Sequence, residues 1–96
     1  MITLKNEIKT IYLEKYFSKN LAFRDNARTL FDLINNSELD EIILNFQDVE
    51  AISRSFAHEI LVKLRETEKR VIIENIHPDV QRMMDLVKNH KSMALS

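Results

Sequence analysis

The chain contains no glycine, no cysteine and no tryptophan, and its single proline is Pro78. Without glycine, the backbone loops that cradle phosphate in P-loop and dinucleotide-binding proteins cannot form, because they need residues without a Cβ close to the anion. Turns at positive φ must then fall to Asn or Asp, and Asn6, Asn35, Asn36 and Asp48 are the candidates. Without cysteine there is no disulfide framework, no thiolate nucleophile and no cysteine zinc site, a usage that fits a reducing compartment. Any metal would have to be held by His and carboxylates.

An excess of positive charge is also missing. Lys and Arg number 14 against 15 Asp and Glu, a formal net charge of −1. Nucleic-acid binding is disfavoured, because too few cations are present to displace counterions from a phosphate backbone. Long apolar runs are missing as well. Lys5, Glu7, Lys9, Glu14 and Lys15 interrupt the first sixteen residues, leaving neither a signal peptide nor a membrane span there. A cytoplasmic location is the expectation, with no membrane association.

What is present suits one folded unit. Hydrophobic residues make up 45% of the 96 and charged residues 30%, enough for a core and a soluble surface. One domain is expected over 1–96, with its core at about 8–88 and a flexible tail at 89–96. Residues 2–13 are rich in β-formers, broken at Lys5, Asn6 and Glu7, and read as one strand or two. A linking stretch through residues 21–23 precedes a helix capped by Asp25 or Asn26, with Ala27, Leu30, Phe31 and Ile34 on its apolar face. The run 41–46 reads as a central strand buried on both faces. A second amphipathic helix starts at about Ser55, marked by Ser53 and Ser55, with Phe56, Ala57, Ile60, Leu61 and Leu64 inward. Residues 71–73 form another short buried strand. Pro78 then opens a helix presenting Val80, Met83, Met84 and Val87. The order β(β)αβαβα calls for an α/β fold: a short mixed or parallel sheet covered by about three helices and joined by right-handed crossovers.

Three separated motifs carry a family resemblance. The stretch 42–61, which contains Ile-Ser-Arg-Ser-Phe-Ala-His-Glu at 52–59, resembles the core signature of STAS domains, the fold of bacterial anti-sigma factor antagonists. Together with Ala-Phe-Arg-Asp-Asn-Ala-Arg at 22–28 and Glu-Asn-Ile-His-Pro-Asp-Val at 74–80, it resembles the STAS-like family over roughly residues 8–88. In anti-sigma factor antagonists, a serine at this helix start is phosphorylated by a partner ATPase of the histidine-kinase type, which breaks the complex. Asn45 stands at the family's strand-end Asp position, and counting forward from it puts Arg54 at the phosphoacceptor position, flanked by Ser53 and Ser55. A fixed positive charge cannot be switched by a kinase, and Phe56 replaces the glycine expected two residues on. The resemblance still implies a docking surface around this loop and helix for a protein partner, such as a histidine-kinase-type anti-sigma factor or sensor kinase.

The residues themselves leave several readings open. A helix amino terminus exposes unpaired N–H groups, so Ser53, Arg54 and Ser55 could hold an anion or a partner's carboxylate. Alternatively Ser55 is simply the cap and Arg54 a solvated side chain. Phosphate on Ser53 or Ser55 would favour the helix dipole yet could disrupt a complementary interface. His58 and Glu59 lack the second His of a zinc-helix motif, since Val62 stands in its place, and they read as exposed contact residues rather than catalytic ones. His77 reads as a turn residue, and His90 lies near a helix end. Arg24 and Arg28 form either a basic patch or ordinary charged surface, and Met83, Met84 and Met93 either core or an adaptable contact face.

The function expected is a non-enzymatic interaction module in regulatory signalling, without cofactor or metal, that binds its partner through Ser53, Arg54, Ser55, His58 and Glu59. The alternative is a small ligand-binding or enzymatic domain built on Arg54, His58 and Glu59. Self-association through a sheet edge or the Met-bearing last helix is a third reading, giving a homo-oligomer.

Overall fold

The computed structural model describes residues 8–94. In chain order its elements are β1 (Lys9–Tyr12), α1 (Leu13–Tyr16), β2 (Asn20–Leu21), α2 (Arg24–Asn36), β3 (Glu41–Asn45), β4 (Ala51–Ile52), α3 (Arg54–Glu66), β5 (Arg70–Glu74) and α4 (Pro78–Ala94). The three longer strands form a parallel sheet in the order β1-β3-β5, and β2 pairs in parallel with β4 as a separate two-residue ladder. The α/β class holds, with a parallel rather than mixed sheet and four helices, the extra one being the single turn α1.

β3 is the central strand, between β1 and β5, but it is not buried on both faces as its apolar run suggested: Ile42 and Leu44 are buried on one face, whereas Ile43 on the other is half-buried. Register places Ile11 beside Leu44 and Leu44 beside Ile73, and Ile42 beside Val71. These residues share the sheet face that meets the helices. Ile11, Ile42 and Leu44 are buried, and Val71 and Ile73 pack against the same core. α3 lies between α2 and α4 and packs against both. Its Phe56, Ala57 and Ile60, with Ala27, Leu30, Phe31 and Ile34 of α2 and Val80, Met84 and Val87 of α4, complete the core.

Several boundaries differ from the sequence reading. Residues 2–7 of the expected amino-terminal strand or hairpin, Asn6 among them, lie outside the described residues. Leu13 opens α1 instead of closing a strand, because its side chain is fully buried among the core residues. The stretch 17–23 is not a plain link, since it contains β2. α2 begins at Arg24, with Phe23 at the cap position and no side-chain cap bond, so neither Asp25 nor Asn26 caps it. Asn35 and Asn36 are helical, and the left-handed residues are Asp48 (φ 67°) and Asn75 (φ 57°). β5 is half-buried rather than fully buried, because it lies at the sheet edge. α4 continues past Asn89 to Ala94. No helix among the described residues is long and apolar enough to cross a membrane.

A parallel strand order requires each connecting helix to run back along the sheet. α2 and α3 end a few residues before β3 and β5 begin, so their amino termini lie towards the carboxyl ends of the strands. α4 starts there too, four residues after β5. Open parallel sheets present their binding surfaces at this end.

Candidate functional site

Ser53 fixes the start of α3. Its backbone is extended (φ −83°, ψ 165°), and its Oγ accepts a hydrogen bond from the Phe56 N–H at 3.0 Å, a helix cap. The same hydroxyl donates to the Ala22 carbonyl at 2.7 Å, and the Ser53 N–H donates to Leu21 O at 2.8 Å. The cap is therefore Ser53 and not Ser55. β2 and β4, two residues each, are thus prolonged by a side-chain bond that ties the approach of α2 to the start of α3.

Beyond that clamp, the expected site residues divide. Arg54 is exposed, Ser55 is half-buried and His58 is exposed. Glu59 is not an exposed contact residue: its side chain is only 13% accessible and its Oε2 accepts from Arg28 Nε at 3.3 Å. Arg28 also reaches Asp25 Oδ1 at 3.2 Å, so one guanidinium serves both carboxylates and links α2 to α3. Arg24 and Arg54 have no ion pair among the described residues. Nor is there an acidic residue in the first turn of α3, whereas α2 has Asp25 and α4 has Asp79 in theirs. The amino end of α3 therefore keeps the positive end of its dipole uncompensated, with Arg54 added to it.

Phe23 is the residue that sequence reasoning missed. It follows Ala22, which Ser53 holds, and it is 71% exposed, the most exposed of the large apolar residues among those described. No sequence signal marked it, because Asp25 and Asn26 are the better caps by type and Phe23 is seen to hold the cap position only in the structure.

A second feature lies at the same end of the sheet. An open crevice of about 820 Å³ runs between the loop Phe46 to Glu50 and the segment Asn75, Ile76 and His77. Asn45 is 5% exposed, and its Oδ1 accepts from the Gln47 N–H at 2.9 Å and from Asn75 Nδ2 at 3.2 Å, closing the ends of β3 and β5 together. His77 precedes α4 as a turn residue, and its Nδ1 accepts from the Asp79 N–H at 3.0 Å. Asp79 Oδ2 lies 3.8 Å from the same nitrogen. A smaller crevice of about 260 Å³ lies beside β1, lined by Lys9, Tyr16 and Leu33 among others. Neither crevice is lined by Arg54, His58 or Glu59. Among the described residues no group of three or more His, Asp or Glu is placed to hold a metal ion. Met84 and Val87 are buried and Met83 packs against them, which makes these methionines core.

The fold and the capped helix start define a small α/β domain of the STAS kind. The model of one family, described as STAS-like domain of unknown function (DUF4325), matches residues 26–81, more than half of the chain. The chain belongs to this STAS-like family. No curated protein and no solved structure matches it.

Proposed function

We propose that the chain is a non-enzymatic interaction module in regulatory signalling and that it binds a protein partner at the amino end of α3. The single observation that carries this reading is the combination of a clamped helix start with uncompensated positive charge: Ser53 is fixed by four hydrogen bonds, and Arg54 beside it is exposed with no ion pair among the described residues. A clamped, positively charged helix start suits recognition of another protein's surface, because little backbone freedom remains to be lost on binding. The contact residues are Arg54 and His58, with Ser55 beside them. Ser53 and Glu59 serve as the supports that hold this surface in shape. A histidine-kinase-type ATPase, as anti-sigma factor or sensor kinase, is the partner class that the family resemblance suggests.

The test starts from tagged protein recovered from its source cells, with the bound proteins identified and then purified. The purified partner is titrated against wild type and Arg54→Glu by calorimetry. The reading expects a specific complex that Arg54→Glu weakens by about tenfold or more, with a melting temperature no lower than that of wild type, because a carboxylate in the first turn of α3 meets the positive end of the dipole. A folded Arg54→Glu protein that keeps full affinity sinks it.

A further inference from the structure

We propose that Phe23 is the apolar anchor of this docking surface, and that the partner receives it in an apolar socket rimmed by carboxylates that meet Arg24 and Arg54. The inference rests on the docking role proposed for the amino end of α3 and names the chemistry that would recognise it.

Three observations converge on it. The first is position. β2 pairs with β4 so that Leu21 stands opposite Ile52, and the Ser53 hydroxyl then holds Ala22. Phe23 and Arg54 are the next residue on each side of that clamp, so both leave neighbouring points of a fixed backbone.

The second is local conflict. Phe23 occupies the cap position of α2 with extended backbone (φ −109°, ψ 133°), and its carbonyl accepts from the Asn26 N–H at 3.0 Å. A side chain able to cap would fit this backbone and satisfy a free N–H. Phenylalanine satisfies none and leaves most of its ring in water, so the residue lowers the stability of α2 and contributes nothing to the core. Conflict between local preference and the residue present is expected where a side chain serves binding. Aromatic side chains are also among the strongest single contributors at protein interfaces, since a large apolar area is buried at a cost of only two torsions.

The third is charge. The carboxylates of Asp25 on α2 and Glu59 on α3 are both engaged by Arg28. Arg24 and Arg54 are left as surplus positive charge, reinforced by the α3 dipole. The complement of an exposed aromatic residue that precedes Arg24 and lies one step past the same clamp as Arg54 is an apolar pocket with acidic residues at its edge.

The test uses the whole chain. A displayed library of random, conformationally closed peptides is selected against wild type alone, and the enriched peptides are titrated against wild type, Arg54→Glu and Phe23→Asn. This variant removes the ring, changes no charge and supplies a capping side chain, so it folds and melts at a higher temperature than wild type. Selected peptides are expected to combine apolar residues with Asp or Glu and to lose about tenfold or more in affinity for Phe23→Asn and for Arg54→Glu. Their binding weakens as salt is added. Peptides without Asp or Glu, or no enrichment on wild type, overturn the proposal. So does a concentration-dependent mass of the chain alone that Phe23→Asn abolishes, because the occupant is then a second copy. Loss of affinity in Arg54→Glu with none in Phe23→Asn removes the anchor and leaves the docking surface standing. Retention of affinity in both variants removes the docking surface itself.

Discussion

The Ser53 hydroxyl donates to the Ala22 carbonyl at 2.7 Å across 31 positions of sequence, while accepting the Phe56 N–H at 3.0 Å. One oxygen thus sets where α3 starts and where the chain entering α2 is held. Ser53→Ala removes both bonds and is expected to lower stability by about 1–2 kcal/mol. Ser53→Thr keeps the hydroxyl and recovers most of that loss. Urea unfolding of the three proteins at constant slope measures the difference, and a Ser53→Ala loss below about 0.3 kcal/mol contradicts a clamp.

The same geometry separates the two serines beside Arg54. Ser53 Oγ is committed on both sides, whereas Ser55 Oγ makes no hydrogen bond among the described residues. A carboxylate at Ser55 would stand in the first turn of α3, which has no acidic residue, and would meet the positive end of the dipole. Ser55→Asp is therefore expected to raise stability by about 0.3–1 kcal/mol, an effect that shrinks in high salt. At position 53 an aspartate can still cap but cannot donate to Ala22, so Ser53→Asp does not stabilise. Any phosphate found on the intact chain is expected at Ser55, which fragmentation of the tryptic peptide locates.

Much of the fold was legible because it rests on local pattern. The apolar run of β3, the helical spacing of Ala27, Leu30, Phe31 and Ile34, and Pro78 at the first position of α4 each state an element within a few residues. The start of α2 was not legible, for a physical reason. Asp25 and Asn26 are good caps by type, but the chain is fixed one step earlier by Leu21, whose carbonyl accepts the Ser53 N–H from a distant strand. Two-residue strands such as β2 and β4 have no periodicity to read. At the site, Arg54 stood out in sequence through its departure from the family pattern. The burial of Glu59 did not, because it depends on where α2 brings Arg28. Nor did the exposure of Phe23, since an apolar residue near a helix start is ordinarily read as core.

Asn75 combines a left-handed backbone (φ 57°) with an amide bond to the buried Asn45. The two roles can be separated by substitution. Asn75→Ala loses both and is expected to cost about 1–3 kcal/mol, the sum of a left-handed alanine and a lost hydrogen bond. Asn75→Gly restores the backbone freedom but not the amide, so it falls between wild type and Asn75→Ala. Thermal unfolding of the three proteins gives the order. Equal loss for Gly and Ala would assign the whole effect to the amide bond.

Leu44 and Leu33 are the same residue type in opposite surroundings. Leu44 lies on the central strand, is fully buried and stands between Ile11 and Ile73, while Leu33 on α2 is 46% exposed. Leu44→Ala removes apolar contacts that neighbouring strands cannot close over, because both are held in register by the β3 ladder. The expected loss is about 2–5 kcal/mol, a large part of the stability of a domain this size. Leu33→Ala leaves no cavity and gains helix propensity, so its effect stays within about 0.5 kcal/mol. Chemical denaturation of both variants checks the contrast. Similar losses at the two positions would mean that the face of α2 carrying Leu33 is covered in solution, and would direct attention to self-association there.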